Sequence, residues 1–357
     1  MYGILTFHRA LNAGALLQCL ALSRAMDGLG MENTVIDYRN PFIERQHHPY
    51  RLYPDSPLKC AARAAVLGPV LAKRVRKFDG FVSSYIKTSR PYLSIDQLNA
   101  DAGAYTAFVT GSDQVFSADC AGFDRAYFLD FPGADGKKYS YAASFGRDDL
   151  PEEEEYVRRL SGYPFLSLRE ASGAALVQNR LKTDVPAEPH IDPVLLFDGG
   201  FWTGIAKKPK EKDYIFLYTM LPSDTIPQKA AALGKETGLP VLWADDKYYK
   251  KRPGVSRRLA VSPDELLGYI AGARHVVTNS FHGTAFSILF EKKFTVETAH
   301  AKSSRVTALL SLLGIENPEG ETDWGAVRAR LETERARTAA YLDKIRRTAE
   351  GLPPNVT

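Results

Sequence analysis

Val276-Val277-Thr278-Asn279-Ser280-Phe281-His282-Gly283 reads as the end of a strand, a small polar turn and the first turn of a helix. The run Arg274–Thr278 before it is short, apolar and rich in β-branched residues. The run Gly283–Phe290 after it has the composition of a helix. Working outward, the same strand-then-helix alternation recurs through most of the chain. Tyr2–Phe7 is a short apolar run, Ala15–Leu29 a helix stopped by Gly30, and Asn33–Tyr38 a second strand. That is a βαβ opening, which implies a parallel sheet with helices on its faces. Further strands are expected at Tyr105–Thr110, Lys138–Ala143, Pro164–Leu168 and Pro189–Val194. A second series follows at Asp213–Thr219, Val241–Ala244, His275–Asn279 and Lys293–Glu297.

Between the two series lies Asp198–Lys212, with glycines, a proline and lysines, where the domain junction is placed. The expected organisation is an N-terminal Rossmann-like domain over 1–200, a second one over 201–320, and a helix over 321–357 that packs back on the first. The fold class is therefore α/β, two Rossmann-like domains facing a cleft. The 357-residue length agrees with two domains, and 45% hydrophobic with 25% charged residues is ordinary globular composition. Cys19, Cys60 and Cys120 are far apart and form no CxxC pair, as expected of a cytoplasmic protein without a disulfide framework or metal site. A net charge of +4 is too weak to imply nucleic acid but suits anionic substrates. The N-terminus lacks the features of a signal peptide, and no run is long enough to span a bilayer.

Ligands of such sheets bind beyond the carboxyl ends of the strands, so the strand-end residues matter most. His282 sits on such an end, where helix-start amides and the helix dipole favour an anion. There it would bind a phosphate, transfer a proton, or serve only to cap the helix. Gly283 would allow close approach of a ligand, with Asn279, Ser280 and Thr284 around it. Arg169, in Ser167-Leu168-Arg169-Glu170, offers a fork for a carboxylate or phosphate; the alternative is an ion pair with Glu170 or across a domain interface. Asn12 and Gly14 form a glycine-bearing turn into a helix, but the turn is not a dinucleotide fingerprint. Asp113 and Gln114, and Tyr141 with Ser144, stand at two more strand ends and would hydrogen-bond hydroxyls. Lys302 and Arg305 would add positive charge. The stretch Pro69–Lys87 has an apolar face and a basic one. From Arg51 to Arg90 there are nine basic and two acidic residues, a charge of +7, read either as a solvated face or as peripheral docking to an anionic membrane or lipid-diphosphate acceptor.

Taken in order, several of these segments resemble the polysaccharide pyruvyltransferase family. They are Gly3–Phe7 with Asn12–Ala15, Val35–Tyr38, Gly111–Val115, Tyr127–Phe131, Tyr139–Gly146, Ser167–Glu170, Asp192-Pro193 and Ser280–Gly283. The resemblance implies a glycosyltransferase-B-like fold and transfer of a pyruvyl unit from phosphoenolpyruvate to saccharide hydroxyls, forming a cyclic ketal. The acceptor would be a polysaccharide or lipid-linked precursor, and no metal or other cofactor would be needed. It further implies that His282 and Arg169 act in donor binding and catalysis. Where some members carry an arginine or leucine just before the histidine, this chain has Ser280 and Phe281, which would leave the donor phosphate to Lys292, Lys302 or Arg305. Ala13 and Phe116 replace a common tyrosine and tryptophan. A nucleotide-sugar glycosyltransferase of the same fold and a non-catalytic saccharide- or anion-binding relative are the competing readings.

Overall fold

The computed structural model describes residues 1–47, 57–147, 149–244, 253–297 and 304–353. The chain divides into two compact units. One comprises Met1–Arg51, Val82–Leu196 and Glu332–Thr357; the other comprises Leu52–Phe81 and Phe197–Leu331.

The first unit holds strands β1 (Tyr2–Leu5), β2 (Asn33–Tyr38), β3 (Thr88–Tyr92), β4 (Ala107–Thr110) and β5 (Lys138–Ser140) in one parallel sheet, order β3-β2-β1-β4-β5. A short parallel pair, β6 (Leu166–Leu168) and β7 (Ala187–Pro189), continues from it through the bridge Ala143–Leu168. The central strands β1, β2 and β4 are buried throughout, as expected of a sheet covered on both faces. The helix Ala13–Gly28 follows β1 and buries most of its length. An aromatic cluster fills the core on the β4–β5 side: Phe116 stacks on Phe128 at 4.9 Å, and Phe145 meets Tyr156 edge-on at 5.5 Å. The C-terminal helix, Trp324–Glu350, docks through Tyr341, whose hydroxyl donates to the Ser140 carbonyl, and through Arg335 and Arg337, which donate to the Leu195 and Pro189 carbonyls.

The second unit repeats the pattern with β8 (Ile215–Tyr218), β9 (Val241–Ala244), β10 (Val255–Arg258), β11 (His275–Thr278) and β12 (Phe294–Val296), all parallel, order β10-β9-β8-β11-β12. Trp202 packs edge-on against Phe286 at 5.1 Å, joining the helix Gly199–Ile205 to the helix after β11. In both units the chain starts at the centre of the sheet, winds to one edge, then returns to fill the other side. The strand order thus reverses between β1 and β4, and again between β8 and β11, and these are the points where doubly wound sheets open a crevice.

Two edge strands, β3 and β10, were not expected from the sequence: their alternation is broken by Arg90 and Pro91 in one and by three polar residues in the other. The expected strand Pro189–Val194 is instead the end of β7 followed by a 3₁₀ turn, Pro193–Leu196. The basic helix runs over Pro57–Tyr85, beginning well before Pro69. Pro69 is exposed, so the carbonyl it leaves without an amide partner, at Ala65, lies on a solvent-facing stretch.

Candidate functional site

His282 lies at the switch point of the second unit. Thr278 ends β11, Asn279 and Ser280 form the turn, and the helix runs over Phe281–Leu289. Each polar residue of the turn has a defined task. Ser280 is the N-cap, and its Oγ accepts from the Gly283 amide at 3.3 Å. The Asn279 side chain clamps the loop after β8, accepting from the Met220 amide at 2.9 Å and donating to the Leu221 carbonyl at 3.0 Å. Thr278 Oγ1 donates to the Tyr218 carbonyl and accepts from the Ser280 amide. Thr284 Oγ1 bonds back to the Ser280 carbonyl. The first turn of the helix, bearing His282, is thereby fixed to the ends of β8 and β11. His282 is 7% exposed, and its ring meets the Phe281 ring edge-on at 5.3 Å.

The reason for Gly283 differs from the expected one. A Cβ there would stand 2.4 Å from Thr278 Oγ1 and 3.1 Å from the Tyr218 ring. Glycine lets the helix close onto the strands, and the space is filled by protein, not left for a ligand. Ser280, which takes the place of a cation, is explained by its capping bond. Lys292 is not brought to this turn. It follows the carboxyl end of the same helix and precedes β12, so it lies at the opposite end of the sheet from His282. Arg305 is the second residue of the helix Ser304–Leu313, which follows β12, and is half-buried. Lys302 lies outside the described residues.

In the first unit the loop after β4 crosses the switch point. Gly111 has φ +112°, and a Cβ on it would fall 2.2 Å from the Tyr141 carbonyl. The Ser112 amide donates to Gln18 Oε1 at 3.1 Å, and its carbonyl accepts from Thr6 Oγ1. Asp113 is buried with φ 73°, its Oδ1 accepting the Gln114 amide; the Gln114 side chain itself is half-exposed. Asn12 caps the first helix through the Gly14 amide at 3.0 Å, and Gly14 is buried.

Arg169 is not an open fork. Its side chain is 2% exposed. Nε donates to Glu170 at 3.0 Å, Nη1 to Asp192 at 3.1 Å, and Asp113 stands 3.6 Å from Nη1. Burial works against the guanidinium charge, but Glu170, Asp113 and Asp192 outweigh it and hold its pKa above the ordinary value. Three carboxylates around one cation leave the cluster net negative, which disfavours a further anion. The Arg169–Glu170 pairing named as the alternative is present, and it extends to two further acids. Tyr141 and Ser144 are also committed. Both are fully buried, Tyr141 donating to the Ile191 carbonyl and Ser144 to Glu170. Both hydroxyls are spent on partners inside the protein.

The structure gathers other strand-end residues that sequence reasoning did not single out. At the ends of β1 and β2, His8 Nε2 lies 2.9 Å from Asp37, and Asp37 also takes Arg39 Nη2 at 2.6 Å. Burial opposes the Asp37 charge, yet the His8 and Arg39 hydrogen bonds prevail and lower its pKa to about 2. Arg9 pairs through Nε and Nη2 with Glu44, and His47 Nε2 meets the Arg9 carbonyl at 2.9 Å. In the second unit Glu297, just past β12, is buried; its amide donates to the Thr278 carbonyl, and its Oε1 accepts from Ser223 and Thr225. A signal was available for Asp37, Arg39 and Glu297, which stand at or directly after the end of a strand; His8, Arg9, Glu44, His47, Ser223 and Thr225 lie further along the loops and helices that follow. Among the described residues no three His, Cys, Asp or Glu side chains gather as a metal-ligand set.

Comparison with solved structures extends over the whole chain. The structure matches the S. aureus MnaA–UDP complex with TM-score 0.50 at 12% identity, covering 100% of both chains. It also matches UDP-N-acetylglucosamine 2-epimerase from Rickettsia bellii with TM-score 0.44 at 11% identity, over 97% and 98% of the two chains. A third match is the spinosyn forosaminyltransferase SpnP, TM-score 0.43 at 12% identity, over 99% and 95%. At such identities the likeness speaks to fold alone: two Rossmann-like units, a glycosyltransferase-B-like α/β protein. No curated protein matches the chain by sequence. The family model for polysaccharide pyruvyl transferase matches residues 12–298, most of the chain and both sheets, and the protein belongs to that transferase family.

Proposed function

We propose that this transferase moves the pyruvyl unit of phosphoenolpyruvate onto two hydroxyls of a saccharide of a cell-surface polysaccharide or its lipid-linked precursor. The observation that carries the reading is the fixed helix start bearing His282 at the switch point between β8 and β11, in a chain of this family. Phosphoenolpyruvate brings a phosphate and a carboxylate, and a helix N-terminus is suited to an anion. In the reaction the methylene carbon gains a proton and becomes a methyl group. One saccharide hydroxyl bonds to the adjacent carbon and a second displaces phosphate from it. Two hydroxyl protons are released, one is taken up at carbon and the other by the departing phosphate, and the products are a pyruvate ketal and inorganic phosphate. His282 is assigned the proton transfer or the neutralisation of the departing phosphate. Arg305, Lys302 and the helix-start amides are assigned the donor anion. Asn12 and Gly14 with the exposed edge of Gln114 are assigned the acceptor side, and Asp113 holds Gln114 in place. Arg169 holds the loops that carry them.

Phosphate release from phosphoenolpyruvate across β-galactoside, mannosamine and lipid-linked acceptors tests the reading. With the productive acceptor, His282→Ala lowers kcat by about 10²–10⁴-fold at unchanged melting temperature. A variant that keeps near wild-type kcat removes His282 from the chemistry. A rise in melting temperature with a sugar nucleotide but none with phosphoenolpyruvate would move the protein to nucleotide-sugar chemistry. Donor binding with no phosphate release on any acceptor would make it a binding protein.

A further inference from the structure

We propose that the helix Pro57–Tyr85 is a docking surface for an anionic lipid bilayer. The exposed positions Ala61, Ala65, Pro69, Ala72, Lys73 and Arg76 recur at three- and four-residue spacing, so they form one continuous stripe. The stripe is small and apolar along its first three turns and becomes basic at Lys73 and Arg76, with Asp79 and Gly80 exposed beyond them. On the inner side Phe78 and Phe81 are buried, and Lys77 pairs with Glu265 of the helix Pro263–Gly272. The helix is therefore held by its carboxyl-terminal part, while Leu71 and Val75 stay only half-buried.

The segment is also strongly basic. Residues 51–90 carry +7 while the whole chain carries +4, which leaves −3 for everything else. The helix Pro57–Tyr85 itself holds six basic residues and one acidic, a charge of +5 on one element. A basic helix with small apolar residues on its exposed stripe fits an interface: the apolar positions rest at the headgroup level and the lysine and arginine heads meet anionic lipid. A nucleic-acid partner would make no use of the apolar half of the stripe. Among the described residues no helix is long and apolar enough to cross a membrane, so the contact is peripheral.

Flotation of the full-length protein with phosphatidylcholine vesicles, with and without phosphatidylglycerol, tests this at low and high salt. The protein is expected to float only with the anionic vesicles and to be released by salt. Lys73→Glu with Arg76→Glu should weaken that binding at least about tenfold. Both side chains are exposed, so the melting temperature and phosphate release with a soluble acceptor should not change. Equal binding to neutral vesicles, or undiminished binding of the double variant, overturns the proposal. So does a double variant that loses self-association or binding to duplex DNA while its vesicle binding is unchanged.

Discussion

Arg169 shows most clearly how one residue can be read in two ways. In the sequence it is an arginine at a strand end, and only its neighbour Glu170 is visible as a partner. Asp113 and Asp192 are distant along the chain and reach it only because β4, β6 and β7 bring their loops to one place. The fold, not the local sequence, places three carboxylates around its guanidinium. Arg169→Ala would leave three carboxylates together, Asp192 among them fully buried, and is expected to cost about 3–5 kcal/mol of stability. Arg169→Lys should recover only part of this, since a point charge cannot bridge Glu170 and Asp192 as a fork does. Urea unfolding midpoints check both variants. Unchanged midpoints with a raised KM for phosphoenolpyruvate would instead return Arg169 to the donor.

At the scale of elements, much of the fold was legible because the two sheets carry their signal twice. Asn33–Tyr38 and Val241–Ala244 match the expected strands residue for residue; the second is a plain apolar run, and the first carries Val35, Ile36 and Tyr38 between turns. Edge strands lack that run, which is why β3 and β10 were not read. The strand–turn–helix around His282 was legible as an element, but the reason for its glycine was not: Thr278 and Tyr218 fill the space beside Gly283 only after β8 pairs with β11. Gly283→Ala is therefore expected to destabilise by about 1–3 kcal/mol and to lower kcat by displacing the first turn. Gly204→Ala, in the helix Gly199–Ile205 of the same unit, meets nothing within 4 Å and should be neutral or slightly stabilising. Thermal unfolding of the pair checks the contrast. If Gly283→Ala is as stable and as active as wild type, the close fit does not hold the turn.

For the molecule as a whole, His190 makes stability depend on acid. Its ring is buried 4.3 Å from Tyr341, where the C-terminal helix docks, and its Nδ1 has no hydrogen-bond partner among the described residues. Burial first, then the nearby Arg337 and Lys344 charges, lower its pKa to about 4, against a weaker opposing contact with the Glu188 backbone. A folded-state value below the unfolded one, about 6.5, means that the unfolded chain takes up the proton first. The stability His190 permits is complete above about pH 6.5 and declines as pH falls towards 4, by about 3 kcal/mol in all. His275, whose pKa burial also lowers, adds in the same direction. Asp37, held at about 2, gives way only at still lower pH. Urea midpoints should accordingly fall between pH 7 and pH 5 in the wild type. They should fall less in His190→Phe, which keeps a ring against Tyr341 but takes up no proton. An equally steep fall in that variant would place the acid sensitivity elsewhere. A shallower one would assign that part of the acid sensitivity to the buried His190 ring against the C-terminal helix.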